Sequence, residues 1–350
     1  MFLVSLLSSV PALITVLATP IWGMLSYRTQ KRKVFIMLGL MAKTLCLIVF
    51  VFISTPLHYI ITLSLFSVLI CALQPNLEAF ITQVSTKKGK ASGLLLTSRS
   101  VGLAAGPLIG GAVFEVLGIQ KNFILGALFS ALALLILMRL KEEQSREVTN
   151  SKYFDLTPYR TILRDKGLTP IYLTDFLYVF GVGLFSSLFS VYFVSIGGSK
   201  TLLGLTNSAV FIIAMLISTP IGMLADRVGR KPLMVFGNLC CGLLMGVLYF
   251  TNDPLVTAAV WAIPLHPYIS VASMALIADY TSDKDRAVGI GLLIISQSLA
   301  RVVGPIIGGL LADSLTLKGV IPVSTLILFL GGVFVLAFIK EKRGNQSPST

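Results

Sequence analysis

Charge is scarce in this sequence. Of its 350 residues only 12% are Asp, Glu, Lys or Arg, while 55% are hydrophobic, and the mean hydropathy is +0.89. A water-soluble chain of this size could not hide so much apolar surface, so a soluble globular domain is excluded and a bilayer must take it up. Histidine occurs only twice, as His58 and His266, each standing alone near the end of an apolar run. The four cysteines (Cys46, Cys71, Cys240, Cys241) all fall inside apolar runs and have neither disulfide nor zinc spacing, which leaves them as small apolar residues. No P-loop and no catalytic constellation is present, so an enzyme is not expected, and neither a cofactor nor a metal is implied. The net charge of +13 is not carried on a basic, aromatic-interleaved soluble module, which excludes nucleic acid as a partner.

What is abundant is long apolar runs. They cover 2–25, 34–54, 60–83, 91–114, 122–140, 169–195, 201–224, 233–251, 256–278, 288–312 and 322–339. Each is close to the ~20 residues that cross a hydrocarbon core as a helix. The expected fold is therefore an all-α polytopic membrane protein with eleven spans. The cations sort by loop. One side holds Arg28, Lys31–Lys33, Lys87–Lys90, the 141–168 segment, Arg227–Lys231, Lys284–Arg286 and Lys340–Arg343, and the loops opposite hold only Lys121, Lys200 and Lys318. By the positive-inside rule the basic side is cytoplasmic, which puts the C-terminus in the cytoplasm and Met1 outside. Residues 1–20 lack the positive segment that opens a signal peptide and are read as a mature helix.

The longest polar segment, 141–168, separates two hydrophobic halves that repeat one another. "LATPIWGMLSYRTQKRK" (17–33) parallels "LISTPIGMLADRVGRK" (216–231), "EAFITQVST" (78–86) parallels "MALIADYTS" (274–282), and "GPLIGG" (106–111) parallels "GPIIGG" (304–309). The matches fall in the same order in both halves, as in secondary transporters built from internal repeats. The domain organisation expected is a helical bundle over 1–140, a cytoplasmic linker over 141–168, a second bundle over 169–340 and a tail over 341–350.

On these motifs the chain resembles the major facilitator superfamily, and within it the drug/proton antiporters. The family's loop signature G-x-L-x-D-R-x-G-R-K stands complete at Gly222, Leu224, Asp226, Arg227, Gly229, Arg230 and Lys231. The antiporter signature G-x8-G-x3-G-P-x2-G-G stands complete at Gly93, Gly102, Gly106, Pro107, Gly110 and Gly111. The resemblance implies two pseudo-symmetric bundles that rock about a central site, a gating role for the loop, and an interface role for the glycine-rich helix. The family has twelve helices. Aligning the halves sets Met1 beside Lys200, so the counterpart of the 169–195 helix is expected to be missing from the N-terminal half, through a late start or a truncation. The N-terminal copy of the loop motif also departs from the pattern, with Tyr27 in place of the acid and Gln30 in place of the glycine.

Several charged residues fall within spans, where they tend to face a bundle interior and pair. Lys43, Glu78 and Arg99 reach similar depths, on the order of 12 Å from the basic loops at 1.5 Å per residue, and are expected to form a buried cluster in the N-terminal half. Glu78 and Asp175 are the candidates for proton coupling, with a fixed Glu78–Arg99 ion pair as the alternative for the first and a helix-terminal anion for the second. Arg301 has Asp279 as its nearest candidate partner in sequence. Glycines along 93–111 are expected to let another helix approach, with Pro107 loosening the helix between them. The helices that line the cavity in the resembled fold supply Phe176, Tyr178, Phe185, Tyr192, Trp261 and Tyr268, an aromatic set suited to amphipathic compounds. The expected function is proton-coupled efflux of drug-like or amphipathic small molecules by a monomer in the cell membrane, its partners being the bilayer, the substrate and protons. A carrier of a metabolite such as a sugar or siderophore, and a non-transporting remnant, remain as alternatives.

Overall fold

A computed structural model describes residues 1–29, 31–84, 88–140, 167–282 and 285–339. Most of the expected 141–168 linker, the 341–350 tail and the loop cations Lys87, Lys284 and Lys340–Arg343 lie outside the described residues. Within them the chain is helical and has no strand. The helices are α1 (Phe2–Thr29), α2 (Arg32–Phe52), α3 (Pro56–Ile70), α4 (Leu73–Val84), α5 (Lys88–Leu117), α6 (Ile119–Arg139), α7 (Thr169–Ser195), α8 (Lys200–Val228), α9 (Arg230–Phe250), α10 (Pro254–Trp261), α11 (His266–Tyr280), α12 (Arg286–Leu315) and α13 (Val320–Phe338). They make 11 apolar segments of membrane-spanning length, because α3 with the first half of α4, and α10 with α11, each share one span.

Short polar residues and prolines set where helices begin. Thr55, Ser199 and Asp253 cap α3, α8 and α10 by accepting backbone N–H bonds from His58, Leu202 and Leu255, and Pro56 and Pro254 occupy the first helical turn, where a missing N–H costs nothing. Between Trp261 and His266 the chain leaves the helix through Ala262, Ile263, Pro264 and Leu265. The prolines at 264 and 267 each lack a backbone donor, so an unbroken helix could not bond through this stretch. Gly229 takes φ +101° between α8 and α9, a conformation that a side chain would strain.

The two halves pack differently. In the C-terminal half α7 lies against α12, α13 and α11, and Leu184, Phe185, Leu188 and Phe193 are fully enclosed in one continuous core. The N-terminal half has only a small core around Ile36, Phe80 and Leu137, with α2 packed on α6, α3 and α4. Across the seam, α5 packs on α8 and α1 on α12.

Candidate transport cavity

The seam is closed by two related contacts. At the first, Gly111 of α5 meets Gly204 of α8 so closely that a methyl group on Gly111 would stand 2.8 Å from the Lys200 carbonyl oxygen and 3.0 Å from Gly204 Cα. Glu115, one turn further along, accepts backbone N–H bonds from Lys200 (2.6 Å) and Thr201 (3.1 Å) at the start of α8. At the second, Gly309 of α12 meets Ser5 and Phe2 of α1, and Asp313 accepts from the Met1 ammonium (2.8 Å) and the Phe2 N–H (3.0 Å). Gly111 and Gly309 occupy the same place in the two GPxIGG repeats, and Glu115 and Asp313 follow each by the same interval. In both contacts a carboxylate sits on the amino end of a helix from the other half, where the helix dipole favours it. Neither Glu115 nor Asp313 stands out in the sequence as a candidate, although the repeat alignment carries the signal.

The glycine-rich signature is therefore split in use. Gly111 makes the close approach, but Gly102 and Gly106 have no heavy atom within 4 Å of an added Cβ, and Gly110 meets only the Asn122 side chain at 3.6 Å. Gly93 lies on the same helix. The expectation that the whole flank receives a neighbour is corrected: close packing is confined to the end with Pro107 and Gly111. The reason is visible in the repeat, where Gly304, the counterpart of Gly106, packs on Phe180 and Gly183 of α7, and no described helix holds that place beside Gly106.

Two adjoining cavities, of about 420 and 540 Å³, lie in and beside the seam: the first is lined wholly by the C-terminal half, and the second lies between the halves. They share Tyr178, Val182, His266 and Arg301 as lining residues. The first is walled by Phe211, Trp261 and aliphatic side chains of α8, α9 and α10. The second reaches Ser8 and Ala12 of α1 and Ser186, Ser187 and Pro305 of the C-terminal half. Of the six aromatic candidates, Tyr178 and Trp261 line the cavity. Phe185 and Tyr192 do not: they are buried behind it, Phe185 against Trp261 with ring centroids 6.2 Å apart and Tyr192 donating to the Leu248 and Thr251 carbonyls. Phe176 stacks on Phe180 at 5.7 Å, and Tyr268 packs on Phe236 at 5.0 Å. Trp261 itself is held flat against Phe189, with centroids 3.8 Å apart and the planes within 7°.

A polar cluster underlies this cavity. Asp175 is fully buried on α7, and Gln297 of α12 donates to its Oδ1 at 2.8 Å. Its Oδ2 meets no partner in full hydrogen-bond geometry among the described residues, although the Ser273 hydroxyl stands close enough to interact with the carboxylate. His266 and Arg301 complete its charged surroundings. Gln297 and Arg301 are four residues apart on α12 and so share a face, a signal that the sequence carries. Asp175 is thus an interior residue and not an exposed helix-terminal anion. His266, expected near the end of a span, opens α11 at the break inside the Pro254–Tyr280 span, close to its midpoint, because the interruption turns one apolar run into two half-helices.

The structure does not bury Lys43, Glu78 and Arg99. All three side chains are exposed, and Gln74 donates to Glu78 Oε1 at 3.3 Å. Depth along a helix follows from spacing, but burial depends on how each helix is rotated against its neighbours. Arg301 likewise does not pair with Asp279, which lies 3.6 Å from Arg230 instead. Arg230 also holds Asp226 at 3.3 Å, and Lys231 donates to the Leu336 carbonyl at 2.8 Å. The Gly222–Lys231 motif, with Arg227 exposed in the last turn of α8 and Gly229 at the turn, therefore ties α8, α9, α11 and α13 together within one half. In the other half, Lys33 donates to the Met138 carbonyl at 3.0 Å, the counterpart of the Lys231 contact.

Two pseudo-repeated helical bundles enclosing a cavity at their seam define a polytopic membrane transporter. The chain belongs to the major facilitator superfamily, whose family model matches residues 1–195 and again residues 171–350. It is 29% identical over 245 residues to the multi-drug resistance efflux pump PmrA of Streptococcus pneumoniae, an alignment covering 67% of this chain and 60% of that protein. It is 27% identical over 235 residues to the multidrug resistance protein MdtG of Proteus mirabilis, covering 65% of this chain and 58% of that one. The chain thus spans roughly three fifths of these curated relatives in the aligned regions. Among solved structures it is similar to a mutant form of the nucleoside transporter NupG, with a TM-score of 0.82 at 13% identity over 97% of this chain and 91% of that one. A bacterial homologue of the human lysosomal transporter Spinster, inward-facing and occupied, matches with a TM-score of 0.76 at 14% identity over 96% and 88% of the two chains. At such identities these structures speak for the fold alone.

Proposed function

We propose that this transporter exports amphipathic, drug-like small molecules in exchange for protons by alternating access. The observation that carries this reading is the cavity in the C-terminal half, walled by Tyr178, Trp261, Phe211 and aliphatic side chains, that adjoins the seam cavity through Tyr178, Val182, His266 and Arg301. Such a lining suits a molecule with a broad apolar body. The names of PmrA and MdtG as multidrug proteins support the substrate class. The seam contacts at Gly111, Glu115, Gly309 and Asp313 lie toward the loops poor in cations, which supports a state open to the basic, cytoplasmic face. Asp175 is the favoured coupling residue, because a buried carboxylate with one unfilled oxygen can take up a proton without breaking its bond from Gln297. Glu78, exposed on α4, is the comparison.

The test is uptake of an amphipathic fluorescent dye into everted membrane vesicles energised by a pH gradient. Uptake by the wild type, lost in Asp175→Asn and retained in Glu78→Gln, is the expected result. Loss only in Glu78→Gln would transfer the coupling role to α4. Absence of gradient-driven uptake by the wild type, with the protein present and folded in the membrane, would refute the efflux reading.

A further inference from the structure

Arg301 lies in the middle of a 30-residue helix, α12, about 21 Å from either end at 1.5 Å per residue. Its side chain is exposed to both cavities, and it forms no ion pair with any described residue. A guanidinium at mid-membrane is costly unless it faces a cavity and has a function there. Across the same space stands His266, which lines both cavities and opens α11. The first turn of a helix carries the positive end of the helix dipole, although in α11 Pro267 has no N–H and the Tyr268 N–H donates to the Leu265 carbonyl. Because α10 and α11 are halves of one interrupted span, that positive end is delivered to mid-membrane, pointing at the cavity wall formed by Pro264, Leu265 and Pro267. Half-helices with this arrangement direct their amino ends at anionic groups of substrates.

Among the described residues no aspartate or glutamate lines either cavity. The nearest, Asp175, is enclosed beneath the surface with Gln297 on its Oδ1. A ligand in the cavity therefore meets a guanidinium, an imidazole and a helix amino end, and an apolar wall of Tyr178, Trp261 and Phe211. We infer that Arg301, His266 and the amino end of α11 form an anion subsite, and that the transported class is amphipathic acids, molecules with an apolar ring system and one carboxylate or sulfonate. This rests on the efflux reading for its meaning as transport, but the subsite is defined by binding and stands or falls on binding alone. Arg301 holds the anion in a forked geometry that lysine cannot reproduce, and Trp261 and Tyr178 cover the ring system.

The experiment uses the full chain in lipid nanodiscs. The chain has two tryptophans, Trp22 on α1 and Trp261 in the cavity wall, so Trp22→Phe leaves Trp261 as the single reporter. Its fluorescence is titrated with an anionic amphiphile, 8-anilinonaphthalene-1-sulfonate, and with a cationic amphiphile of similar size, ethidium. The expected result is tighter binding of the sulfonate than of the cation, a loss of about tenfold or more in sulfonate affinity in Arg301→Gln, and a smaller loss in Arg301→Lys. Ethidium affinity is unchanged or improved in Arg301→Gln. Circular dichroism and the ethidium titration show that the variants remain folded. Equal affinity of the wild type for both probes, failure to bind either, or sulfonate binding unaffected by Arg301→Gln would each overturn the subsite. Sulfonate binding through Arg301 with no gradient-driven transport would keep the subsite and remove the efflux reading, whereas gradient-driven transport with sulfonate binding unaffected by Arg301→Gln would do the reverse.

Discussion

Replacing Gly204 by alanine acts on the closure of the seam. The added methyl would overlap the Pro107 carbonyl oxygen and stand 3.0 Å from Gly111 Cα, and neither contact is the far end of a flexible side chain that could swing aside. Carbon atoms settle at about 3.5–4.0 Å, so α5 and α8 must separate by roughly 0.5–1 Å to admit it. Overpacking of this size costs about 1–3 kcal/mol, which applies only to the state in which the two helices touch. Alanine also favours the helix over glycine by about 1 kcal/mol, but that gain is the same whether the seam is closed or open and drops out of the conformational equilibrium. The population closed at Gly111–Gly204 should therefore fall by about five- to 160-fold relative to the open one, with no loss of thermal stability. Double electron–electron resonance reads this directly, with labels at Lys121→Cys and Lys318→Cys on a background lacking the four native cysteines. A second, longer distance should appear in Gly204→Ala and be absent in Gly102→Ala, where the added methyl meets nothing within 4 Å. An unchanged distance distribution in a folded Gly204→Ala protein would refute the idea that this contact holds the seam shut.

Three further outcomes are expected. Glu115→Gln keeps the shape of the contact with Lys200 and Thr201 but removes its charge, so the same labels should report a shift in the same direction, of a few-fold at most because the site is exposed and screened. Trp261→Ala removes both the cavity wall and the stack on Phe189 and should weaken binding of an amphipathic probe by about tenfold, while Trp261→Phe, which restores a ring, should stay within a few-fold of the wild type; isothermal titration measures both. Asp175→Asn should flatten the pH dependence of probe binding while leaving the protein folded, since an amide does not titrate. The groups facing this site are Gln297, Ser273, His266 and Arg301, and a dependence that survives in Asp175→Asn but disappears in His266→Gln would assign the titration to the imidazole.

How much of this is legible in the sequence differs from one residue to the next. The spans can be read because each needs only length and apolarity, and the two bundles because the repeated motifs stand in order. Asp226, Arg230 and Lys231 announce a structured loop through their spacing, although not that Arg230 reaches Asp279. Spacing puts Lys43, Glu78 and Arg99 at a common depth but says nothing of their azimuth, since rise per residue fixes the first and only neighbouring helices fix the second. The aromatic candidates divide for another reason: Tyr178 and Phe185 lie seven residues apart on nearly the same face of one helix, yet two turns of depth bring one to the cavity and the other to Trp261 from behind.

By itself, then, the sequence determined that the chain lies in a membrane, how often it crosses, where its helices begin at Thr55, Ser199 and Asp253, and that its halves are variants of one pattern. These are local properties, set by transfer into hydrocarbon and by hydrogen bonding over a few residues. Only the tertiary structure decided that His266 stands at mid-membrane, that Gln297 holds Asp175 while Arg301 is left facing the cavity, and that Glu115 and Asp313 each seat on a helix of the opposite half. Those arrangements join residues up to 312 positions apart, and they depend on the rotation and approach of whole helices, which no short stretch of sequence contains.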